Sequence, residues 1–324
     1  MTGLFRGRGR APWLGWVSMV KQQSGVQRAL VLSGGGARGA YQVGVWRRLQ
    51  ELGWRPDLVC GTSIGSLNGA LIGMGWDATR MEGFWETLHR RDVFRFSFWH
   101  RLRYRLSTLF GEGPKYPALL DNRYLLDLLT SVIDVQRLRD VAPELVVTAT
   151  DVCRSRLRYF SGSELTPRHI LASCSIPVVF PWCEIDGEFY WDGGIMANTP
   201  LLPALESGAR EIVIVLLAPL TGSAVPPPAN TRGAVAWALD LATIASVKVL
   251  GAEFFERAGM DVQESADKLA RENFIDAGGT RLLLVAPRDT SGVGSLFDLG
   301  PKLTGERIEQ GYRDACAQLA ALLG

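Results

Sequence analysis

Gly61-Thr62-Ser63-Ile64-Gly65 is the stretch of this chain best suited to covalent chemistry. It follows a short apolar run, Leu58-Val59-Cys60, and precedes a small-residue helical pattern that begins at Ser66. Strand, sharp turn and helix is the setting in which a GxSxG serine becomes a nucleophile. The glycines remove side chains where the backbone turns tightly and the helix packs on the strand. The serine then stands at a helix N-terminus, where unpaired N–H groups and the dipole favour negative charge. A pattern this short also arises by chance, so the groups that would serve the serine have to be found elsewhere in the chain.

The first candidate partner is a glycine loop. Residues 28–33 have a buried-strand pattern and run into Gly34-Gly35-Gly36-Ala37-Arg38-Gly39. A helix follows, with Tyr41, Val45, Leu49 and Leu52 on one face and Gly53 as its stop. Backbone N–H groups converge in such a loop because no Cβ blocks approach. Gly34, Gly36 and Gly39 fit the dinucleotide pattern GxGxxG, which asks for an acid at the end of the second strand. Asp57 is near in count but falls at that strand's start. An oxyanion hole fits better, because loops at the C-terminal ends of adjacent parallel strands face one another. A tight turn without a ligand is the plain structural alternative.

The second candidate partner is an acid. Residues 184–194 read Glu-Ile-Asp-Gly-Glu-Phe-Tyr-Trp-Asp-Gly-Gly. Asp186-Gly187 is a hairpin signal. Asp192-Gly193-Gly194 ends a strand and leads to Asn198-Thr199-Pro200, a helix start with proline near its first turn. An α/β-hydrolase triad runs serine, acid, histidine. His89, His100 and His169 all precede Asp192, so that order fails with this acid. Ser63, Asp151 and His169 would satisfy it. However, Asp151 ends a buried strand at 144–151 and reads as a loop-holding residue, and His169 reads as part of a helix start near the surface. A Ser63–Asp192 dyad remains. A carboxylate of pKa about 4 must be buried, or tightly placed against the hydroxyl, to act as its base.

Helical patterns at 77–89, 122–135, 201–206, 234–255, 266–272 and 305–323 alternate with strand patterns at 144–151, 157–161, 209–218 and 282–285. Strand and helix patterns thus share the chain from end to end. Pro226-Pro227-Pro228 marks a surface loop. The final strand–helix pair is too little to stand alone, so residues 28–324 read as one domain after a flexible extension at 1–27. Within that extension Met19 offers an alternative start.

The 324 residues are 47% hydrophobic with a net charge of only +2, so no global field favours nucleic acid. Five cysteines, widely spaced and without a CxxC pair, point to a reducing, cytoplasmic setting and to no metal site. The longest apolar run, 212–220, is about nine residues, half of what a membrane-spanning helix needs. Positive charge is local. No acid precedes Glu51, and the segment from Arg90 to Arg105 carries six arginines among Phe94, Phe96, Phe98, Trp99 and Tyr104. That segment, an insertion at about 90–120, reads either as aromatics packed on the core or as a peripheral membrane contact.

Taken together, Gly34 to Gly39, Gly61 to Gly65, Ala172-Ser173-Cys174-Ser175-Ile176-Pro177 and Asp192-Gly193-Gly194 resemble, in kind and order, the patatin-like phospholipase family. The similarity runs from about Arg28 to Pro219. The resemblance implies an α/β fold of three layers, α/β/α, with a mainly parallel central sheet, and lipid acyl hydrolysis by a Ser63–Asp192 dyad, without calcium or any other cofactor. It implies an oxyanion hole among Gly34, Gly35, Gly36 and Arg38, and a phospholipid or lysophospholipid substrate. A nucleotide-binding protein and a non-catalytic membrane-binding protein are the competing expectations.

Overall fold

Strand β1 (Arg28–Leu32) is central and buried on both faces, the environment that a continuous apolar run requires. In the computed structural model it pairs in parallel with β2 (Leu58–Gly61) on one side and β7 (Glu211–Val215) on the other. Parallel pairing continues outward from β2 to β3 (Glu144–Asp151), and from β7 to β9 (Thr280–Val285). Antiparallel strands finish both ends: β4 (Arg156–Ser161), β5 (Cys183–Ile185) and β6 (Glu188–Asp192) beyond β3, and β8 (Phe274–Ala277) beyond β9. The structure describes residues 25–93, 118, 120–140, 143–219, 260–277, 279–288 and 298–322, with isolated positions between 227 and 256. The expected extension, most of the basic aromatic segment, the proline loop and the helix expected at 234–255 lie almost wholly outside the described residues.

Helices cover both sheet faces. Leu30, Val59, Leu145, Val213 and Leu283 face α1 (Ala40–Glu51), α2 (Ile64–Gly73), α3 (Ala78–Thr87), α4 (Arg123–Val132) and α10 (Pro301–Gln318). Val31, Cys60, Ile212 and Leu284 face α8 (Leu201–Glu206) and α9 (Val262–Glu272). This is the expected three-layer α/β/α arrangement around a mainly parallel sheet. Three short helices, α5 (Val135–Asp140), α6 (Pro167–Ser173) and α7 (Gly194–Ala197), sit between strands near the antiparallel end.

Several expectations shift. The segment at 122–135 is two helices, α4 and α5, separated at Ile133 where the chain turns extended. The last helix begins at Pro301 rather than at residue 305, with proline in its first turn where a missing N–H costs nothing. Strand β8 was not expected. Its Phe-Ile-Asp-Ala sequence is too short to show a period, and it forms because Asn273 takes a left-handed conformation that turns the chain back along β9.

Two features of this frame set up the site. The chain leaves β1 for β2 on one side and later returns to β7 on the other, so a crevice opens beyond the C-terminal ends of these strands. Strand β4 occupies one edge of β3 along Val146 to Asp151, so β2 and β6 must share the other edge. They meet there end to end: Gly61 pairs with Val147 and Asp192 with Ala149.

Helices α1 and α10 cross at glycines. A Cβ on Gly44 would stand 2.6 Å from the Tyr312 nitrogen, and one on Gly311 would stand 2.9 Å from the Tyr41 carbonyl carbon. Gly44→Val should therefore force the helices apart and cost about 1–3 kcal/mol. By contrast, Gly83, exposed in α3 with open space beside it, should gain roughly 0.5–1 kcal/mol on replacement by alanine. Thermal unfolding of the two variants, with midpoints moving in opposite directions, checks both.

Candidate active site

Ser63 sits in the two-residue passage between β2 and α2, with φ +54° and ψ −124°. A positive φ is costly for serine, on the order of 1–3 kcal/mol, and persists only where neighbours over-determine it. They do so here. The Ser63 N–H donates to Ser173 Oγ at 2.8 Å. The Ser63 carbonyl accepts from the Ser66 N–H at 2.8 Å and from Ser66 Oγ at 2.6 Å. The flanking glycines are required by space. A Cβ on Gly61 would stand 2.6 Å from the Gly65 carbonyl carbon, and one on Gly65 2.8 Å from that of Leu32. Thr62 anchors the turn to the next strand and to α7, through Thr148 Oγ1 at 2.6 Å and the Ala197 carbonyl at 2.9 Å.

Asp192 ends β6 where β2 ends, which brings its carboxylate up to the Ser63 side chain. Gly194 N–H donates to Asp192 Oδ1 at 2.7 Å. The Asp192 backbone is held on both sides, its N–H by the Ser175 carbonyl at 2.9 Å and its carbonyl by Thr150 Oγ1 at 2.9 Å. Only 4% of the residue is exposed. Burial pushes the carboxyl pKa up to about 7, against the opposing pull of the Ser63 and Gly194 hydrogen bonds. The structure thus brings together the two residues of the expected dyad.

The alternative triad is not assembled. Asp151 is ion-paired with Arg154 and Arg156, both at the far end of the β3–β4 hairpin. His169 caps its own helix, with Nδ1 at 2.9 Å from Thr166 Oγ1 and its ring against Phe160. Burial lowers its pKa to about 4. Asp57 serves the opposite end of the sheet from the glycine loop. It accepts the Gln27 and Arg28 N–H groups at 2.9 Å each and leaves the GxGxxG pattern without an acid.

The glycine loop packs directly against the serine: a Cβ on Gly34 would stand 3.0 Å from Ser63 Cβ. Two of the four expected donors have acceptors within the chain. The Gly34 N–H is taken by the Asn198 carbonyl at 3.0 Å, and the Arg38 N–H closes a turn onto the Gly35 carbonyl at 3.2 Å. Among the described residues neither Gly35 nor Gly36 N–H has an intramolecular acceptor, and Gly36 lines the pocket with φ +55°. A buried relay fixes this loop on α2 and α3. Gln42 donates to the Ser33 carbonyl, Asn68 donates to the Gly39 carbonyl and to Gln42, and Trp85 donates to Asn68, all at 2.8–2.9 Å.

A pocket of about 590 Å³, including its solvent-open part, extends from Ser63 between Ile64, Leu67, Trp85, Leu88, Val93, Leu125, Leu128, Ile176, Phe180 and Leu299. Its lining is almost wholly apolar, which suits a hydrocarbon chain. Cys174 also lines it, with its thiol in hydrogen-bond reach of Ser63 and Ser66 and its pKa driven well up by burial. Sequence reasoning missed the bracketing roles of Ser173, Ser175, Thr148 and Asn198. Ser173 and Ser175 lie in a motif already quoted, and their spacing of two across a helix end was the available signal. No group of acids, cysteines and histidines suited to a metal occurs among the described residues.

The Asp192 environment has a consequence for stability. Its native pKa of about 7 lies above the ordinary value near 4, so the native state binds more protons than the unfolded state between those pH values. This site's contribution to stability should be fully present below about pH 4, decline through neutrality and level off above about pH 7. Asp192→Asn should remove that decline and raise the unfolding midpoint at pH 8 relative to the wild type, an effect of a few kcal/mol at most, on the order of the pKa displacement. Thermal unfolding of both proteins at pH 5 and pH 8 checks it.

Comparison with known proteins gives the chain's family. The family profile described as "Patatin-like phospholipase" matches residues 30–205, more than half of the chain. Patatin-like phospholipase domain-containing protein 6 of Homo sapiens is 31% identical over 189 residues, 58% of this chain and 13% of its own length. Lysophospholipase nte1 of Aspergillus oryzae is 30% identical over 197 residues, 61% of this chain and 12% of its own. The chain thus spans about one-eighth of these relatives. Among solved structures, VipD from Legionella pneumophila overlays with a TM-score of 0.44 at 16% identity, covering 91% of this chain and 67% of its own. From the first glycine loop through Asp192 and α8, the chain belongs to the patatin-like phospholipase family.

Proposed function

We propose that this protein is a lipid acyl hydrolase that cleaves carboxylic esters of phospholipids or lysophospholipids with a Ser63–Asp192 dyad. The observation that carries the reading is the meeting of Ser63 and the buried Asp192 where β2 and β6 end along one edge of β3, with Ser63 at the mouth of an apolar pocket; burial raises the Asp192 carboxyl pKa to about 7. A base is most effective when its pKa lies near the working pH, because it is then both ionised and able to hold a proton. An ordinary exposed aspartate fails the second condition.

The chemistry follows from the geometry. As Ser63 Oγ bonds to the ester carbonyl carbon, its proton passes to Asp192. The carbonyl oxygen takes the negative charge and is stabilised by the N–H groups of Gly35 and Gly36 and by the N-terminus of α2. Collapse of the tetrahedral species breaks the ester C–O bond, and Asp192 returns its proton to the departing alcohol. Water then repeats the sequence on the acyl-serine, with Asp192 again taking a proton, and the fatty acid leaves. The buried acyl chain occupies the pocket while the headgroup stays outside, which places the scissile ester at Ser63. The substrate is itself a membrane lipid, so the protein works at a lipid surface as a peripheral protein. No helix among the described residues is long and apolar enough to cross a membrane.

A fluorophosphonate probe should label the wild type and leave Ser63→Ala unlabelled, with hydrolysis of lysophospholipid lost in that variant. Asp192→Asn should lower kcat by at least about 10³-fold, in the range set by losing a base that also orients the nucleophile. In the wild type, kcat/KM should rise with pH through a single ionisation near 7, the pH at which Asp192 loses its proton. Retention of wild-type hydrolysis by Ser63→Ala would remove the serine from the mechanism, and a pH profile flat from 5 to 8 would remove Asp192 as the base.

A further inference from the structure

The glycine loop has an anchor outside the stretch matched by the family. Arg307, in the second turn of α10, is fully buried at 0% exposure. Its Nη1 donates to the Ala37 carbonyl at 3.0 Å and to the Asp298 carbonyl at 2.7 Å. Ala37 belongs to the glycine loop and lines the pocket beside Gly36. Leu299, the residue after Asp298, lines the same pocket from another side. One nitrogen therefore ties the loop that carries the oxyanion donors to the segment that forms part of the acyl wall.

This is an unusual place for a cation. Burial, reinforced by the neighbouring Arg38, lowers the Arg307 pKa to about 10, which leaves it charged at neutral pH. Arg38 is itself buried, with Nη1 at 3.4 Å from the Leu217 carbonyl. A buried charge is a poor device for stability alone, because apolar side chains of similar volume often do as well. A planar guanidinium does what an apolar group cannot: it fixes two carbonyls in one geometry. The Ala37 carbonyl lies on the peptide two links after the one that carries the Gly36 N–H, so holding it pins the C-terminal side of the short run that carries the free N–H groups. Oxyanion donors act only within a narrow distance range, and a small displacement sacrifices most of their effect.

We propose that Arg307 is a positioning residue for ester hydrolysis, clamping the glycine loop to the Asp298–Leu299 wall so that the Gly35 and Gly36 N–H groups stay aimed at the oxyanion. The inference rests on the acyl-hydrolase reading given above. It makes the C-terminal helix, beyond residue 205, part of the working site rather than a cover for the sheet.

The test uses the full chain with Arg307→Met, Arg307→Lys and, as reference, Tyr41→Phe. Tyr41 also joins α1 to α10, through a 2.9 Å hydrogen bond from its hydroxyl to Asp314 Oδ2, but makes no bond to the glycine loop. Each variant is assayed well below its unfolding midpoint for kcat and KM on a p-nitrophenyl ester and for the rate of fluorophosphonate labelling at Ser63. Arg307→Met should lose kcat by about 10²-fold with KM little changed, and labelling should slow in parallel, since the phosphonyl adduct uses the same donors. Arg307→Lys should fall between it and the wild type, because the charge stays but the planar fork is lost. Tyr41→Phe should unfold earlier yet keep its kcat. A folded Arg307→Met with kcat within about twofold of wild type would overturn the proposal. If that variant does not fold, wild-type kcat and labelling in Arg307→Lys overturn it, as does a loss of kcat in Tyr41→Phe equal to that in Arg307→Lys. A wild type that neither hydrolyses esters nor takes the probe fails at the earlier step and sinks the hydrolase reading itself.

Discussion

The structure depends on placing one carboxylate out of water beside one serine. Desolvating an ionised carboxyl is expensive, and burial raises the Asp192 pKa to about 7 against the opposing pull of the Gly194 N–H and the Ser63 side chain. That shift is what suits Asp192 to the base role proposed for it. More donors would return it to an ordinary aspartate, and none would leave it protonated and idle. The site therefore needs a fixed, small number of donors, and the surrounding chain has to keep others away.

Sheet topology does this. Because β4 fills one edge of β3, strands β2 and β6 share the other and end facing each other. Ser63 and Asp192 then leave the sheet at the same point from opposite directions. Neither needs a long, flexible loop to reach its partner, so little conformational entropy is spent in holding them together. The segment Ser173 to Ser175 secures the join, one residue accepting from the Ser63 backbone and the other from the Asp192 backbone. Thr62 and Thr148 close it from below. Each bracket uses a small hydroxyl or a main-chain group, and so adds no charge that would disturb Asp192.

Much of this was legible in the sequence, for local reasons. The Gly61–Gly65 elbow and the glycine loop declare themselves through turn chemistry, and apolar periodicity places the strands and helices around them. The position of the histidines already disfavoured a triad built on Asp192. What could not be read were relations between distant segments. Nothing local to β2 or β6 says that they share an edge of β3. Gly34 and Arg38 look like donors as good as Gly35 and Gly36 until Asn198 and the Gly35 carbonyl are seen to claim their N–H groups. Strand β8 exists because β9 was already there to pair with, not because of its own four residues.

The same contrast bears on where the active unit ends. The motifs stop at Asp192 and the family match stops at residue 205, yet the glycine loop rests on later residues. Leu217 packs where a side chain on Gly35 would have to go, at 2.9 Å from its Cβ position. Arg307 holds the Ala37 carbonyl, and Gly311 lets α10 come close enough to α1 to put it there. A chain cut after the matched residues would keep Ser63, Asp192 and the glycines and lose Leu217, Arg307 and Gly311, which pack on or hold the glycine loop and its helix. Reaction geometry and fold boundary are therefore fixed by different parts of the molecule, and the residues that join them carry no motif by which to be recognised.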